Sequence, residues 1–389
     1  MDLDKEKRHI VKRVFILSLC FFLLTPFCFG ALCHQSPKKT AKVILSQDPS
    51  FSLTRKKLTQ AIAFIEKHRL SKHQKDRLFP EETKIPCVIE KCAHLGGYLI
   101  RELGGKDHVG RGGQKVVRRA VLYGVFPKII VDCRGDSVKK EIGVFEKVKG
   151  CRGIVPFLGA ESEDDNHHSM YLTYFSKGTL ERQIKQGKNF SKQQIIKIAL
   201  DICCGVQALH NNHLIHRDIH NGNILVRLLP NSSAEAVLID FGLTEHIDDA
   251  QKLPPEKTPG RAPPETLLHS SDSIDRYKAE IYALGSSFYR FVFKRPFPWM
   301  QLFKNLDPNL SSEEKEALFA HIVSLYNETK EQKLGFLQEG RPLSSFEQLQ
   351  RAIIQMVHYD PAQRPSIDEL VEQLKPLLGA ESGSSQPGN

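Results

Sequence analysis

Two short stretches constrain this chain more than anything else in it. The first is His216-Arg217-Asp218-Ile219-His220-Asn221-Gly222-Asn223-Ile224-Leu225-Val226. The second, after a short turn, is Val237-Leu238-Ile239-Asp240-Phe241-Gly242. Each is an apolar run that reads as a buried strand with an acidic or amide group at its edge. Two such strands side by side would bring Asn223 and Asp240 to one mouth. Two oxygen ligands there suit Mg²⁺, which takes few protein ligands and shares the rest with water and phosphate. Asp218, five residues before Asn223, stands where a substrate hydroxyl could release its proton. Phosphoryl transfer asks for this combination of positioning and charge neutralisation.

At these residues the chain resembles the eukaryotic-type protein kinases. HRD at 216–218 with Asn223 beyond it, and DFG at 240–242, match the catalytic loop and the metal-binding motif in order and spacing. The bland alternative is a strand pair carrying both tripeptides by chance. The resemblance implies an α+β, bilobal protein-kinase-like fold, with a small β-rich N-lobe and a large helical C-lobe over about residues 95–378. It implies ATP and Mg²⁺ as cofactors, Asp218 as catalytic base, Asn223 and Asp240 as metal ligands, and Leu225 among the nucleotide-binding residues.

The charge is uneven. Residues 1–80 hold 16 Lys and Arg against 6 Asp and Glu, a surplus of ten that equals the net charge of the whole chain, +10. The basic balance therefore belongs to the N-terminal extension and does not point the kinase core to nucleic acid. A basic arm can touch an acidic membrane surface or partner, or stand solvated. Of the nine cysteines, Cys20, Cys28 and Cys33 lie in or beside the leader, and the rest form no CxxC pair. Neither a zinc site nor a disulfide framework is expected.

Met1 to Arg13 is mostly basic, and Val14 to Phe29 is an apolar run of sixteen residues, short of the about 20 that a membrane span needs. With Gly30 and Ala31 behind it, the segment 1–30 reads as a secretory signal peptide, or as an uncleaved anchor. ATP is scarce outside cells, so a kinase with a leader must face inward from a membrane or act in a second cytosol, such as a host's. Residues 34–52 read as a polar linker within a basic arm over 31–94. Leu53 to Phe79 reads as one or two helices with Leu58, Ile62 and Ile65 on one face. That face packs beside the catalytic domain or, on the sharper reading, binds a partner or membrane.

The small lobe is expected to start near Cys92. Gly110-x-Gly112-x-x-Lys115-x-Val117 aligns with the kinase glycine-rich loop, whose backbone approaches phosphates closely. Kinases usually carry a lysine on the next strand, Lys128 to Cys133. Counting from Val117, its place falls on Asp132, or on Cys133 if the loop is one longer, and the lysine is missing. Lys115, in GRGGQK, resembles the substitute lysine of the with-no-lysine kinases. An ammonium there can reach the same phosphate oxygens; the alternative is a solvent-exposed strand residue. Lys128 is a second candidate. Ile130 stands where kinases keep Ala and would crowd the adenine. Glu141 matches the helix glutamate that pairs with the ATP-positioning lysine. Met170 to Leu180 resembles the hinge, with Leu172 guarding the rear pocket and Tyr174 at the adenine edge.

In the large lobe, Ser191-x-x-Gln194 is a capping box. It opens a helix with Ile195, Ile198, Ile202, Val206 and Leu209 on one face. His210, His213, His216 and His220 cluster but read as core positions rather than a metal site. His220 stands where Ser/Thr kinases carry Lys and can donate to a γ-phosphate. H-x-D-x-H-x-G-N also resembles small-molecule phosphotransferases. Against these, Thr258-Pro259-Gly260-Arg261-Ala262-Pro263-Pro264-Glu265 and Asp360-Pro361-Ala362-Gln363-Arg364-Pro365-Ser366 resemble protein-kinase segments, and the resemblance implies a buried Glu265–Arg364 ion pair. Thr258 sides with Ser/Thr specificity. Glu280 stands where the family has Asp, one methylene longer, which would loosen the brace under the catalytic loop. Arg217 normally pairs with a phosphorylated loop residue. Between Gly242 and Thr258 the only hydroxyl is Thr244, so Asp248, Asp249 or Glu256 are expected to serve as fixed negative charges. Gly379 to Asn389 is polar and expected to be disordered.

The chain thus reads as a leader-bearing Ser/Thr protein kinase acting on a protein substrate. Asp218, Arg217 and His220 form its catalytic loop. Gly110, Gly112, Lys115, Val117, Glu141, Leu172, Tyr174 and Leu225 are set for the nucleotide. A pseudokinase scaffold is the rival reading, motivated by Asp132, Ile130 and Glu280.

Overall fold

The computed structural model describes residues 37–47, 54–68, 77–78, 87–92, 95, 97–102, 108–112, 115–123, 128–135, 137–162, 168–250, 262–269, 273–303, 307, 309–335 and 341–378. The leader, Gly113, Glu256, Thr258–Arg261 and the tail from Gly379 lie outside the described residues. The chain divides into two compact units. One comprises the residues up to Asp136 with Leu158–Tyr174; the other comprises Ser137–Phe157 with the residues from Phe175 on. Among the described residues no helix is long and apolar enough to cross a membrane.

The first unit is built on one eight-stranded sheet. Its strands are β1 (Arg77–Leu78), β2 (Cys87–Cys92), β3 (Gly97–Glu102), β4 (His108–Gly112), β5 (Lys115–Tyr123), β6 (Lys128–Arg134), β7 (Phe157–Ser162) and β8 (His168–Thr173). They run in the order β1-β2-β3-β5-β6-β8-β7, with β4 also paired to β5. The sheet therefore begins upstream of residue 95, where the small lobe was expected to start. The expected linker contains a helix, α1 (Pro37–Gln47), followed by α2 (Arg55–His68). Polar composition concealed α1. Its apolar residues Ala41 and Ile44 recur at helical spacing and are fully buried. Leu58, Ile62 and Ile65 on α2 are buried with them, against Ile100, Val121 and Ile129 of the sheet. Each such aliphatic side chain contributes about 1.5–3 kcal/mol relative to exposure.

The second unit is mostly helical: α3 (Val138–Val148), α4 (Leu180–Lys185), α5 (Lys192–His210), α6 (Arg276–Phe293), α7 (Ser312–Leu334), α8 (Ser345–Met356) and α9 (Ile367–Leu374), apart from a short turn at Ile247–Ala250. The Ser191–Gln194 capping box forms, and α5 buries Ile195, Ile198, Ile202, Val206 and Leu209. Capping boxes also open α7, α8 and α9. Two-stranded ladders join β10 (Ile224–Leu228) to β11 (Ala234–Leu238), and β9 (Leu214–Ile215) to β12 (Glu245–His246). Arg364 grips Glu265 with both ends of its guanidinium, at 2.7 and 2.6 Å, and both residues are buried. The Arg364 guanidinium also lies 4.9 Å over the Tyr282 ring. The architecture is the α+β arrangement of the protein-kinase fold, a β-rich unit and a larger helical one.

Candidate active site

In the helical unit the β10–β11 ladder runs in register from Ile224↔Leu238 to Leu228↔Ala234. Ile239 N–H then donates to Asn223 O at 3.0 Å. Asn223 and the next residue along, Asp240, are thereby brought to one end of the ladder. Asn223 Nδ2 donates to the Asp218 backbone oxygen at 3.0 Å and to its Oδ2 at 2.9 Å. With its NH₂ turned to Asp218, Asn223 keeps Oδ1 as its acceptor, and Asp240 follows Ile239 at the same end of the ladder. Two oxygen donors of this kind fit Mg²⁺. Arg217 and Asp240 both have φ of 67°; such backbone strain in non-glycine residues gathers at functional sites.

His216 joins the two motifs. Its Nδ1 accepts from Asp218 N–H at 3.3 Å, so Nε2 carries the proton and lies 3.2 Å from Ile239 O. Its ring is 5.2 Å from Phe241. Phe241 in turn meets Phe145 of α3 edge-on at 4.9 Å, and Phe145 stacks on Phe157 at 5.1 Å. This aromatic chain carries α3, and with it the buried Glu141, to the Asp240-Phe241-Gly242 motif. A Cβ on Gly242 would sit 3.5 Å from Asp240 Oδ1 and 3.7 Å from Glu141 Oε1, so the two carboxylates face one small space. The far side of β11 is held by Gly153. Its φ is +79° and a Cβ there would fall 1.9 Å from Asp201 O. Only glycine permits this approach. Gly153 O accepts from Leu238 N–H at 2.7 Å, two residues before Asp240.

The brace beneath the catalytic loop is not loosened. Glu280 is buried, accepts Arg217 N–H at Oε1 (3.0 Å), and meets His210 Nε2 at Oε2 (2.8 Å). The extra methylene lets one carboxylate reach both partners. His210, a core position in the sequence, is thus part of the brace. His220 folds over Gly222, whose N–H donates to its Nδ1 at 3.0 Å. That leaves Nε2 protonated, 3.5 Å from Asp218 Oδ2. A side chain at 222 would strike the His220 ring at 2.6 Å and come within 3.1 Å of Glu181 Oε2. Glu181 is held below its usual carboxylate range by Lys185 first, with Arg290 and His220 adding to it. No motif along the chain singles out Glu181. Leu225 is bridged to Thr179.

Near Arg217 lies a second guanidinium. Burial lowers the pKa of Arg276, and the Arg217 charge lowers it further. Two clustered cations attract an anion. Thr244 is 1% exposed. Glu245 is paired with Lys140 of α3 at 2.5 Å, and Asp248 with His246 at 3.4 Å.

In the β-rich unit, β4 and β5 form a hairpin in which Gly110 faces Val117 and Gly112 faces Lys115. Across β5–β6, Val117 pairs with Cys133, Arg119 with Val131 and Val121 with Ile129. Leu172 pairs with Val131 across β6–β8. Directly paired residues share a face and neighbours alternate. Lys115, Val117, Val131, Cys133 and Leu172 therefore lie on one face. The lysine's usual place falls on Cys133, not Asp132, and Val131 takes the position expected for Ile130. Ile130 faces the opposite side, in a buried cluster with Leu99, Ala120 and Tyr171, where it cannot crowd an adenine. Lys128, four residues from Asp132, shares that opposite side, which weakens it as a substitute lysine. Asp132 is 1% exposed and is paired with Arg101 at 3.2 Å and Arg134 at 3.1 Å. Glu90 pairs with the same two arginines. One-residue miscounting flips a strand's faces, and the sequence left both counts open.

The chain matches the protein kinase domain family over residues 109–374. It is 26% identical over 239 residues to the serine/threonine-protein kinase PLK4 of Danio rerio, covering 58% of this chain and 22% of that protein. It is 28% identical over 163 residues to the mitogen-activated protein kinase kinase kinase YODA of Arabidopsis thaliana, covering 42% and 17%. It is 28% identical over 215 residues to the PLK4 of Nematostella vectensis, covering 51% and 21%. The chain spans about a fifth of the length of these relatives.

Proposed function

Because this chain belongs to the protein kinase family, we propose that it is an active Ser/Thr protein kinase transferring the γ-phosphoryl group of ATP to hydroxyls of a protein substrate. The observation that carries this reading is the Asn223 amide. It is turned to the Asp218 carboxylate, which leaves its oxygen available to a cation that Asp240, at the same end of the ladder, would share. A protein with no catalytic use for Mg²⁺ has no need of that arrangement.

In this mechanism the substrate oxygen attacks phosphorus, its proton passes to Asp218 Oδ2 or Oδ1, and ADP leaves with the electron pair of the broken P–O bond. Asn223, through its amide hydrogen bond, and His220, through Nε2–H, orient the Asp218 carboxylate. Arg217 fixes the loop from beneath through its N–H on Glu280. Asn223 and Asp240 would hold Mg²⁺, which supplies neutralisation of phosphate charge. Gly110 and Gly112 give backbone approach to the phosphates, and Lys115 takes the role of the absent strand lysine, with Glu141 the partner that the kinase resemblance implies for it. Val117, Leu172, Tyr174 and Leu225 enclose the base. Activity needs no loop phosphorylation, because Thr244 is buried and the segment carries its own acids. An increase in activity after incubation with an upstream kinase would contradict this.

Cys133 in the lysine's place favours a second reading, a pseudokinase scaffold. A small-molecule phosphotransferase is disfavoured by the buried Glu265–Arg364 pair, a feature that resembles protein kinases. Residues 1–30 are taken to export or anchor the protein, toward an inward-facing or host-cytosol site. Any membrane contact of the arm would be electrostatic, through exposed Lys42, Arg55 and Lys56, because the apolar faces of α1 and α2 are spent on the sheet. The test is ³²P transfer from Mg-ATP to the protein itself and to a generic basic substrate, with wild type, Lys115→Met and Asp240→Asn. An active wild type with both variants dead supports the enzyme. A silent wild type with no ATP-dependent thermal shift supports the scaffold.

A further inference from the structure

The family match begins at residue 109, yet the β-rich unit contains α1, α2, β2 and β3 upstream of it. Of these, β2 and β3 extend the sheet, and α1 and α2 pack on the side that carries Val117. Val121 and Ile129, which receive α1 and α2, stand on the same face as Val117 and Cys133, farther along the same strands, and as Leu172 on β8. The hinge residue Tyr174 is partly buried against that same cluster. Between the two groups Arg119 places its guanidinium 6.0 Å from the Tyr174 ring, within cation–π range. Tyr123 on β5 donates its hydroxyl to Glu66 of α2 at 2.6 Å. The extension also holds β6 from the other face. Glu90 of β2 and Arg101 of β3 pair with Arg134 and Asp132, two acids against two arginines.

We propose that the extension over residues 37–102 is the outer wall of the nucleotide site's β-rich half, packed on Tyr174 so that it sets nucleotide affinity in cis. The physical basis is preorganisation. Tyr174 and β6 are ordered by the extension before a nucleotide arrives, so binding does not have to order them. Removing the wall costs affinity for the base while leaving Asp218, Asn223 and Asp240, which belong to the helical unit, as they are. The proposal rests on the kinase reading only for what Tyr174 and Val117 face.

The test uses the full chain and a fluorescent ATP analogue titrated at equilibrium, with unfolding followed by Trp299. This residue is the single tryptophan of the chain, is fully buried in the helical unit, and so reports that unit separately. Ile62→Asp places a charge between α2 and the sheet. It is expected to weaken analogue binding about tenfold, with the Trp299 transition unchanged and, where turnover is measured, KM for ATP raised at constant kcat. Tyr123→Phe removes the hydroxyl that bonds Glu66 and keeps the ring; a loss of about two- to threefold is expected. Lys42→Glu, on the exposed face of α1, is expected to bind as wild type. If α2 in Ile62→Asp becomes protease-sensitive while both Ile62→Asp and Tyr123→Phe bind the analogue as tightly as wild type, the inference is overturned and the kinase reading stands. If wild type and every variant fail to bind, the kinase reading falls and the inference falls with it.

Discussion

The helical unit and the β-rich unit solve the same problem, fixing polar groups in a low-dielectric setting, in opposite ways. In the helical unit the fixed groups point at chemistry. Asp218 is held by Asn223, His216 and His220, and Arg217 is held by Glu280. Each contact is to a backbone group or a short side chain, so each residue is demanded by geometry. In the β-rich unit the buried charges of Glu90, Arg101 and Asp132, with the half-buried Arg134, face away from Val117 and serve the sheet itself. On the proposed reading, the face that carries Val117 requires only glycine backbone, apolar contact and one ammonium, and an ammonium on a flexible stem can move from one strand to its neighbour. A catalytic loop built from short-range contacts tolerates little substitution; a roof that offers charge at the end of a long side chain tolerates relocation.

The contrast can be broken first at its two buried ion pairs. Arg364→Met leaves Glu265 buried and unpaired and is expected to cost about 3–5 kcal/mol in urea unfolding. Asp132→Asn leaves Glu90 still facing both arginines, so about 1–3 kcal/mol is expected. An equal cost would mean that the sheet cluster is not shared as the geometry implies. Gly153→Ala forces a Cβ onto Asp201 O at positive φ and should cost about 1–3 kcal/mol, with loss of activity through Leu238 and Asp240. Glu280→Gln keeps the shape but weakens two charge-assisted contacts. A drop in kcat of about tenfold is expected, or about 1.4 kcal/mol, with KM for ATP little changed.

The smallest effect is one of pH. His358 is held below its ordinary value of 6.5, by burial first, with the charge of Arg364 also lowering it. Its folded pKa is depressed, so below 6.5 the unfolded chain binds the proton more readily. Stability from this group is present above 6.5 and is lost as pH falls from there toward the folded value. His358→Gln should flatten that limb of a stability-versus-pH profile measured by chemical unfolding; an unchanged slope would show that His358 does not titrate between the two states.

Much of the helical unit was legible because its motifs are local. A residue five places from Asp218 and a capping box at Ser191 follow from spacing along one chain, and the Glu265–Arg364 pair follows from the resemblance of two local motifs to protein-kinase segments. The β-rich unit was less legible because its decisive facts are pairings between strands. Whether Asp132 or Cys133 occupies the lysine's place depends on one residue of register, set by Val117↔Cys133, and composition does not reveal that. The helix at Pro37–Gln47 was hidden for a related reason: its few apolar residues acquire meaning only against the sheet they cover. Glu280 was misread in the other direction. Length alone suggested a looser brace, and the second partner, His210, lies seventy positions away in sequence.

The central claim, that the phosphate-holding lysine has moved from β6 to position 115 and that its former place is Cys133, is tested most directly by moving it back. Phosphoryl transfer should be lost in Lys115→Met and restored, at least in part, in Lys115→Met with Cys133→Lys. The pair Lys115→Met with Asp132→Lys should stay inactive. Recovery through Asp132→Lys, or full activity in Lys115→Met alone, would contradict the account.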